Sequence, residues 1–88
     1  MLGRIFTVTP EAAQRILDRW NFGNRPIDEH TLEKIRESVA RDGWLTERLV
    51  EVEGEWGRSR LINGQHRLTV IAQDGVVRPL LVSEHHRG

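Results

Sequence analysis

The residues best suited to binding or chemistry lie in one short stretch, Asn63–Arg67. A glycine turn that leads into a helix leaves backbone N–H groups unpaired at the helix start, where the helix dipole adds partial positive charge. Gly64 lets the backbone come close to a ligand, and Gln65, His66 and Arg67 offer donors beside it. This pattern predicts a phosphate or carboxylate site. The alternative is an ordinary strand-to-helix connection whose polar residues only cap the helix.

Other kinds of catalytic chemistry find little support. The four histidines are His30, His66, His85 and His86, and no pair has the i, i+4 spacing of a helical zinc site, so we predict no metal site. The serines lack a nucleophile motif with partnered His and Asp, and the chain contains no cysteine. Two roles remain open for His66, an acid–base group near neutral pH and a positioning donor.

Composition narrows the class of protein. Its 88 residues carry 13 basic and 13 acidic side chains, which argues for one small domain and against a surface that is basic throughout. Lys34 is the single lysine, so the cationic groups suit forked contacts with phosphate or carboxylate, although a coding bias towards Arg explains the same excess. No apolar run approaches the length of a membrane span. We expect a cytoplasmic protein without membrane contacts.

Hydrophobic periodicity and turn residues predict the elements that position these groups. Residues 1–88 should form one domain with strands, helices and a hairpin in the order β-α-α-β-β-α-β. The predicted elements are a strand over Arg4–Val8, helices over Pro10–Arg19 and from Asp28 to Gly43, a hairpin over Arg48–Ile62 with its return strand from Trp56, a helix ending at Asp74-Gly75 and a strand over Val76–Val82. The fold class is α+β, a small mixed sheet with helices packed on it.

Four further features of the sequence carry expectations of their own. Arg25 lies in the loop between the first two helices, where it is either a functional cation or a solvated one. Pro79 predicts that the last strand lies at a sheet edge or carries a bulge. The tail over residues 83–88 has no apolar anchor, so we expect it to be disordered. Trp56, beside the hairpin turn, is either a structural ring or an exposed anchor for a partner protein.

The motifs at Asn24–Ile27, Arg41–Leu45 and Leu61–Leu68, together with the element order, resemble the ParB/sulfiredoxin-like superfamily. The nearest likeness is to small phage-associated ParB-like proteins with a D/N-G-Q-H-R-L signature. The residues that carry the resemblance, which extends from about Phe6 to Val82, are Asn24–Ile27, Arg41–Leu45, the hairpin, Leu61–Leu68 and Asp74-Gly75. We therefore expect a protein encoded by a phage or another mobile element, acting in the cytoplasm of the host cell.

This resemblance implies a nucleotide-phosphate site. In partitioning ParB proteins the matching loop binds the phosphates of CTP, and in sulfiredoxins it carries a cysteine beside an ATP-binding arginine. Position by position, it implies that Gly64 forms the turn, that Gln65 and His66 offer donors, and that Arg67 and Arg25 bind phosphate from two sides. The ligand would be a nucleoside triphosphate with Mg²⁺, or a nucleic acid.

Departures from the family pattern limit these expectations. The sulfiredoxin cysteine is missing, so reductase chemistry should be absent. Gln65-His66 stands where partitioning proteins have Glu-Arg, and their further phosphate motif, helix-turn-helix and dimerisation segment are not seen, so we expect no CTP-driven clamp. Enzymatic turnover stays open. Two alternatives to phosphate binding are a scaffold that binds a host or phage protein through Trp56, and a ParB-like nuclease.

Overall fold

A computed structural model describes residues 3–86 of the chain. The elements are β1 (Arg4–Val8), α1 (Pro10–Trp20), α2 (Glu29–Asp42), β2 (Leu49–Val52), β3 (Leu61–Asn63), α3 (Gln65–Asp74) and β4 (Arg78–Glu84). The predicted α+β class and the element order are confirmed. No helix among the described residues is long and apolar enough to cross a membrane.

The four strands form one mixed sheet in the order β1-β4-β2-β3. β1 runs antiparallel to β4, β4 runs parallel to β2, and β2 runs antiparallel to β3. Because β2 and β3 are antiparallel, the first residues of β2 lie beside the last residues of β3. The turn into α3 therefore leaves the sheet next to the segment that enters β2.

Buried aliphatic residues join the sheet to α1 and α3. The core includes Ala13 and Ile16 from α1, Leu68 and Ile71 from α3, and Val8, Val50, Val52, Leu61, Leu80 and Val82 from the strands. Strand residues in this set alternate along β2 and β4, as expected when one face of a sheet is covered by helices. These contacts hold the first turn of α3 at a fixed position against the sheet.

Local sequence signals set the helix ends. Thr9 accepts a hydrogen bond from the Ala12 backbone N–H at the start of α1, and Asp28 does the same for His30 at the start of α2. α2 ends at Gly43, which has φ of 83°, a conformation that glycine adopts readily. α2 packs on α3, where Arg36 bonds Asp74 and Gln73. Its apolar row is only partly covered, because Leu32 is buried whereas Ile35 and Val39 are half-buried.

The return strand of the hairpin is shorter in the structure than the sequence predicts. It was expected from Trp56, but β3 covers only Leu61–Asn63. The chain between the strands forms turns and bends instead, including Gly57 at φ of 87°. Glu53 closes this connection, since its N–H donates to the Arg60 carbonyl and its carboxylate bonds the Arg60 guanidinium.

The expectation that Pro79 marks a sheet edge or a bulge is wrong, because β4 lies between β1 and β2 without an irregularity in its register. Pro79 pairs with Thr7 of β1, and the parallel pairing with β2 begins only at Leu81. The Pro79 carbonyl accepts from the Trp44 indole at 2.6 Å. The N and C=O groups of one strand residue face the same side of the strand. The Pro79 nitrogen therefore faces the β2 side, at a level where β2 has not yet begun, so no hydrogen bond of the sheet is lost there.

The last strand is also displaced along the sequence. It was predicted over Val76–Val82, whereas β4 covers Arg78–Glu84. Ser83 and Glu84 therefore belong to the sheet and not to a disordered tail; Ser83 is buried and pairs with Glu51. The His85 N–H continues the ladder by donating to the Val52 carbonyl. Residues 87 and 88 of the predicted tail lie outside the described residues.

Candidate functional site

The turn between β3 and α3 has a shape that only glycine fits. Gly64 has φ of 112°, and a Cβ added there would lie 2.7 Å from Val50 Cγ2. No side chain caps α3, and the Leu68 N–H makes the first helical bond, to the Gly64 carbonyl. The backbone N–H groups of the three residues after Gly64 therefore lie at an uncapped helix start, with its partial positive charge.

A pocket of about 700 Å³ opens over this turn, and we call it the α3 pocket. All five predicted site residues line it together with the start of α2 and the entry to β2. The lining residues are Asn24, Arg25, Pro26, Asp28, Thr31, Arg48, Leu49, Ile62, Asn63, Gly64, Gln65, His66 and Arg67. Three arginines and one carboxylate are among them, so the pocket has an excess of positive charge.

Gln65 positions the Arg25 loop. Its side chain is buried, with 9% exposure. Its Nε2 donates to the Arg25 carbonyl at 2.8 Å, and its Oε1 accepts from Asn21 Nδ2 at 2.9 Å. Both ends of the amide are engaged inside the protein, which favours a positioning role for the Gln65 side chain, and its role as a ligand donor stays a prediction. Its backbone N–H remains part of the helix start.

His66 links the start of α3 to the start of α2. Its Nε2 lies 3.0 Å from the Asp28 backbone nitrogen and accepts the N–H of that residue. A ring nitrogen that accepts is unprotonated, so in this arrangement the proton of the neutral ring is on Nδ1. The Nε2 lone pair is engaged and not available as a general base. This contact favours the positioning role of His66.

Arg67 is held in place by Trp44 and Leu45. The central carbon of its guanidinium lies 4.1 Å from the centroid of the Trp44 ring, and its Nη2 donates to the Leu45 carbonyl at 2.5 Å. Its buried Nε has no hydrogen-bond partner among the described residues. Burial, and to a lesser extent the charge of Arg48, lowers the pKa of Arg67 to about 10, whereas Glu47 opposes the shift.

The two other arginines of the pocket are exposed. Within residues 3–86, neither the Arg25 nor the Arg48 side chain forms a hydrogen bond or a salt bridge. Asp28, the one carboxylate of the lining, already accepts from the His30 N–H and from the Thr31 hydroxyl. The positive charges of the pocket are thus not neutralised by its own acid.

Sequence reasoning did not assign Arg48 to the site. The predicted hairpin, whose second strand leads into Gly64, was enough to place Arg48 near the turn. In an antiparallel hairpin the residue that enters the first strand lies beside the residue that leaves the second. Applied to β2 and β3, this rule brings Arg48 next to the Gly64 turn.

Trp56 does not stand out as an exposed anchor. Its ring is half-buried against the core, with its centroid 5.7 Å from that of Phe6, and its backbone N–H donates to the Glu84 carboxylate at 2.7 Å. These contacts support the structural role for the ring. The scaffold alternative, which named a surface such as Trp56 and the hairpin, stays a prediction.

The remaining titratable clusters of the described chain are small. His85 Nε2 lies 2.8 Å from Glu51 Oε2 and 3.4 Å from Ser83 Oγ. Because both partners share one ring nitrogen, this group does not form the relay of a catalytic triad. Between residues 3 and 86, no set of three or more His, Asp and Glu side chains is arranged to hold a metal ion.

Comparisons with protein-family models, with curated proteins and with solved structures give no match.

Proposed function

We propose that the protein is a ParB/sulfiredoxin-like domain that binds the phosphate of a nucleotide or of a nucleic acid at the Gly64–Arg67 turn. The observation that carries this proposal is the convergence of Arg25, Arg48 and Arg67 on one pocket at the uncapped start of α3. The family assignment is supported by the element order β-α-α-β-β-α-β and by the motif residues around the turn.

Charge and geometry favour an oxyanion as the ligand. Backbone N–H groups at a helix start point towards an anion, and the helix dipole favours negative charge by about 0.3–1 kcal/mol. Arginine adds forked donors that match phosphate oxygens in pairs. Gly64 gives the turn its φ of 112°, the conformation that brings the backbone of the helix start to the pocket.

The three arginines are proposed to act differently. Arg67 is pre-organised, since Trp44 and the Leu45 carbonyl already hold its guanidinium. Arg25 and Arg48 are exposed and would close on the phosphate from either side. Pre-organised groups lose less conformational freedom on binding, so Arg67 would supply the fixed part of the site and the exposed pair would supply the adjustable part.

Binding is proposed in preference to turnover. His66 uses Nε2 to hold the Asp28 backbone N–H, and the Asp28 carboxylate caps α2. A Mg²⁺ ion would enter with the phosphates of a nucleoside triphosphate, because Mg²⁺ in such sites is bound largely by the phosphates and water. Intact plasmid and single-stranded DNA after incubation with Mg²⁺ or Mn²⁺ would argue against the nuclease alternative.

Calorimetry and thermal unfolding with inorganic phosphate and nucleoside triphosphates, with and without Mg²⁺, test the proposal. A ligand at a hundredfold excess over its dissociation constant should raise the free energy of unfolding by about 2.7 kcal/mol. Arg48→Ala should weaken binding about tenfold, since a hydrogen bond to a charged group contributes about 1.5–3 kcal/mol. Binding should also weaken as ionic strength rises.

Arg15→Ala is the matched control, because Arg15 is exposed on α1 and does not line the pocket. It removes the same charge from the protein and should leave the affinity nearly unchanged. Equal losses in the two variants would show a general charge effect. The absence of stabilisation by any phosphate compound would overturn the proposed function.

A further inference from the structure

A second cavity adjoins the α3 pocket along the surface of α2. This α2 groove has a volume of about 310 Å³ and shares Thr31, Arg48 and Arg67 with the α3 pocket. The two cavities therefore meet at two arginines, and groups bound on either side would contact the same pair of cations.

The α2 groove combines apolar and polar surface. Ile35 and Val39 of α2 and Leu45 after it line the groove and are only half-buried. Ser38 and the exposed Lys34 complete its polar part. Among its lining residues there is no carboxylate, so the groove is aliphatic on its floor and cationic at its border.

The α3 pocket has an apolar side of its own. Leu49 on β2 and Ile62 on β3 line it and keep 41% and 37% of their surface exposed. Asn63, also exposed, adds an amide beside them. The arginine pair is thus flanked by aliphatic surface on both sides, with hydrogen-bonding groups at each.

From this arrangement we infer that the ligand is a phosphodiester, a segment of single-stranded nucleic acid. Its bridging phosphate would lie at Arg48 and Arg67, one nucleoside would occupy the α3 pocket on Leu49 and Ile62, and the next would occupy the α2 groove on Val39. This inference rests on the proposed phosphate-binding function and chooses between its two kinds of ligand.

A phosphomonoester fits this surface less completely. A terminal phosphate carries a nucleoside on one side only, so it would leave one of the two aliphatic surfaces uncovered. A phosphodiester carries a single negative charge between two bodies that are each partly apolar, which matches a cationic centre between two apolar surfaces. Burial of aliphatic surface favours binding in proportion to the area removed from water, and a dinucleotide would cover both surfaces where a mononucleotide covers one.

The test compares thymidylyl-thymidine (TpT), thymidine monophosphate and inorganic phosphate by calorimetry on the full chain. TpT should bind at least tenfold more tightly than the monophosphate. Uridylyl-uridine and uridine monophosphate, measured in parallel, distinguish RNA from DNA as the source of the strand. Tighter binding of either dinucleotide than of its own monophosphate supports the inference. Val39→Asp should reduce the TpT affinity to that of the monophosphate.

Ala40→Asp is the control for charge, because Ala40 is exposed on the same helix and lies outside both cavities. The two variants add the same charge, so the ratio of their TpT affinities reports on the groove. Val39→Thr, which keeps the side-chain shape, serves if Val39→Asp unfolds the protein, and it should also weaken TpT more than the monophosphate.

Two results would overturn the inference and they differ in meaning. If neither dinucleotide binds more tightly than its own monophosphate, or if changes at Val39 leave dinucleotide binding unchanged, the ligand does not span both cavities while the proposed phosphate site stands. If TpT, the monophosphate and inorganic phosphate all fail to bind, the proposed function fails as well.

Discussion

The guanidinium of Arg67 lies over the indole of Trp44, 4.1 Å from the ring centroid. The same indole donates its N–H to the carbonyl of Pro79 in β4. One ring thus connects the cation at the start of α3 with a central strand of the sheet. The contacts that hold the Arg67 guanidinium, with the Trp44 ring and the Leu45 carbonyl, come from outside its own helix.

Trp44→Phe tests the sheet side of this connection. The variant keeps an aromatic ring under Arg67 but removes the donor to Pro79, so the free energy of unfolding should fall by about 1 kcal/mol. Trp44→Leu also removes the ring and should lower stability further, by about 0.5–1 kcal/mol for the lost cation–π contact alone. Denaturant unfolding measures both. Phosphate affinity should fall in Trp44→Leu only; equal affinities would contradict the role of the ring.

Gly64→Ala tests the shape of the turn. Alanine there would hold an unfavourable φ of 112° and place its Cβ 2.7 Å from Val50 Cγ2. Gly75→Ala at the other end of α3 is the control, because Gly75 has φ of 69° with nothing within 4 Å of an added Cβ. Both changes carry conformational strain, but only the first also overpacks the core. Gly64→Ala should therefore destabilise the protein by about 1–3 kcal/mol more than Gly75→Ala, measured by chemical denaturation.

Gln65→Met tests the positioning role of the buried amide. Methionine keeps the length of the side chain but breaks the bonds to the Arg25 carbonyl and to Asn21, so stability should fall by about 2 kcal/mol. Phosphate affinity should also fall, because the loop that carries Arg25 loses its anchor. Gln14→Met, on the exposed face of α1, should change stability by no more than about 0.5 kcal/mol. An unchanged affinity in Gln65→Met would show that the loop is held by other contacts.

Two substitutions at His66 separate its roles. Glutamine offers an acceptor oxygen at the end of its side chain and should preserve the bond from the Asp28 N–H. Leucine has no acceptor and should lower stability by about 1 kcal/mol relative to glutamine. Thermal unfolding of the two variants provides the measurement. If they unfold at the same temperature, the His66 contact does not contribute to holding α2 against α3.

The pH dependence of stability should report on Asp28. The hydrogen bond from the Thr31 hydroxyl, together with backbone N–H bonds from His30 and Thr31 and the charge of His30, lowers the pKa of Asp28 from its ordinary value of 3.8. For an acid with a lowered folded-state pKa, the stabilisation is complete above the unfolded pKa. It is then lost as pH falls through the folded value.

Thr31→Val removes the largest cause of this shift. The pKa of Asp28, followed by NMR of its carboxyl carbon, should rise towards 3.8 in the variant. The stability difference from the unaltered protein should be present at neutral pH and should shrink as the solution is acidified below pH 3.8. Thr7→Val, an exposed change on β1, should leave the Asp28 titration unaltered. An Asp28 pKa that does not move would contradict the assigned cause.

Local signals predicted the elements and the position of the candidate site. The caps at Thr9 and Asp28 and the glycine at Gly43 act on residues within a few positions of chain. The helix ends that they set can therefore be predicted from the sequence alone. The Gly64 turn is of the same kind. Its φ of 112° is a local requirement, although the Val50 contact that reinforces the choice of glycine comes from another strand.

Local signals do not predict the order of the strands in the sheet or the partners of individual side chains. Pro79 was expected at an edge or at a bulge, yet it lies in a regular central strand. It is accommodated there because the Trp44 indole donates to its carbonyl and the pairing with β2 begins two residues later. The tail was expected to be disordered because it carries no apolar anchor, yet parallel pairing with β2 orders Ser83 and Glu84. Both outcomes depend on which strands become neighbours, because the partners of these residues come from parts of the chain that are distant in sequence.

By itself, the sequence determined the α+β class, the element order and the turn at which donors and Arg67 collect, since these follow from periodicity, caps and glycine. Only the tertiary structure decided which groups are free to bind. It engages both ends of the Gln65 amide and the Nε2 of His66 inside the protein, brings Arg48 to the turn, and opens a second groove along α2. The reason is physical: whether a polar group is satisfied depends on partners some 40 residues away in the chain, and packing alone brings those partners within hydrogen-bond distance.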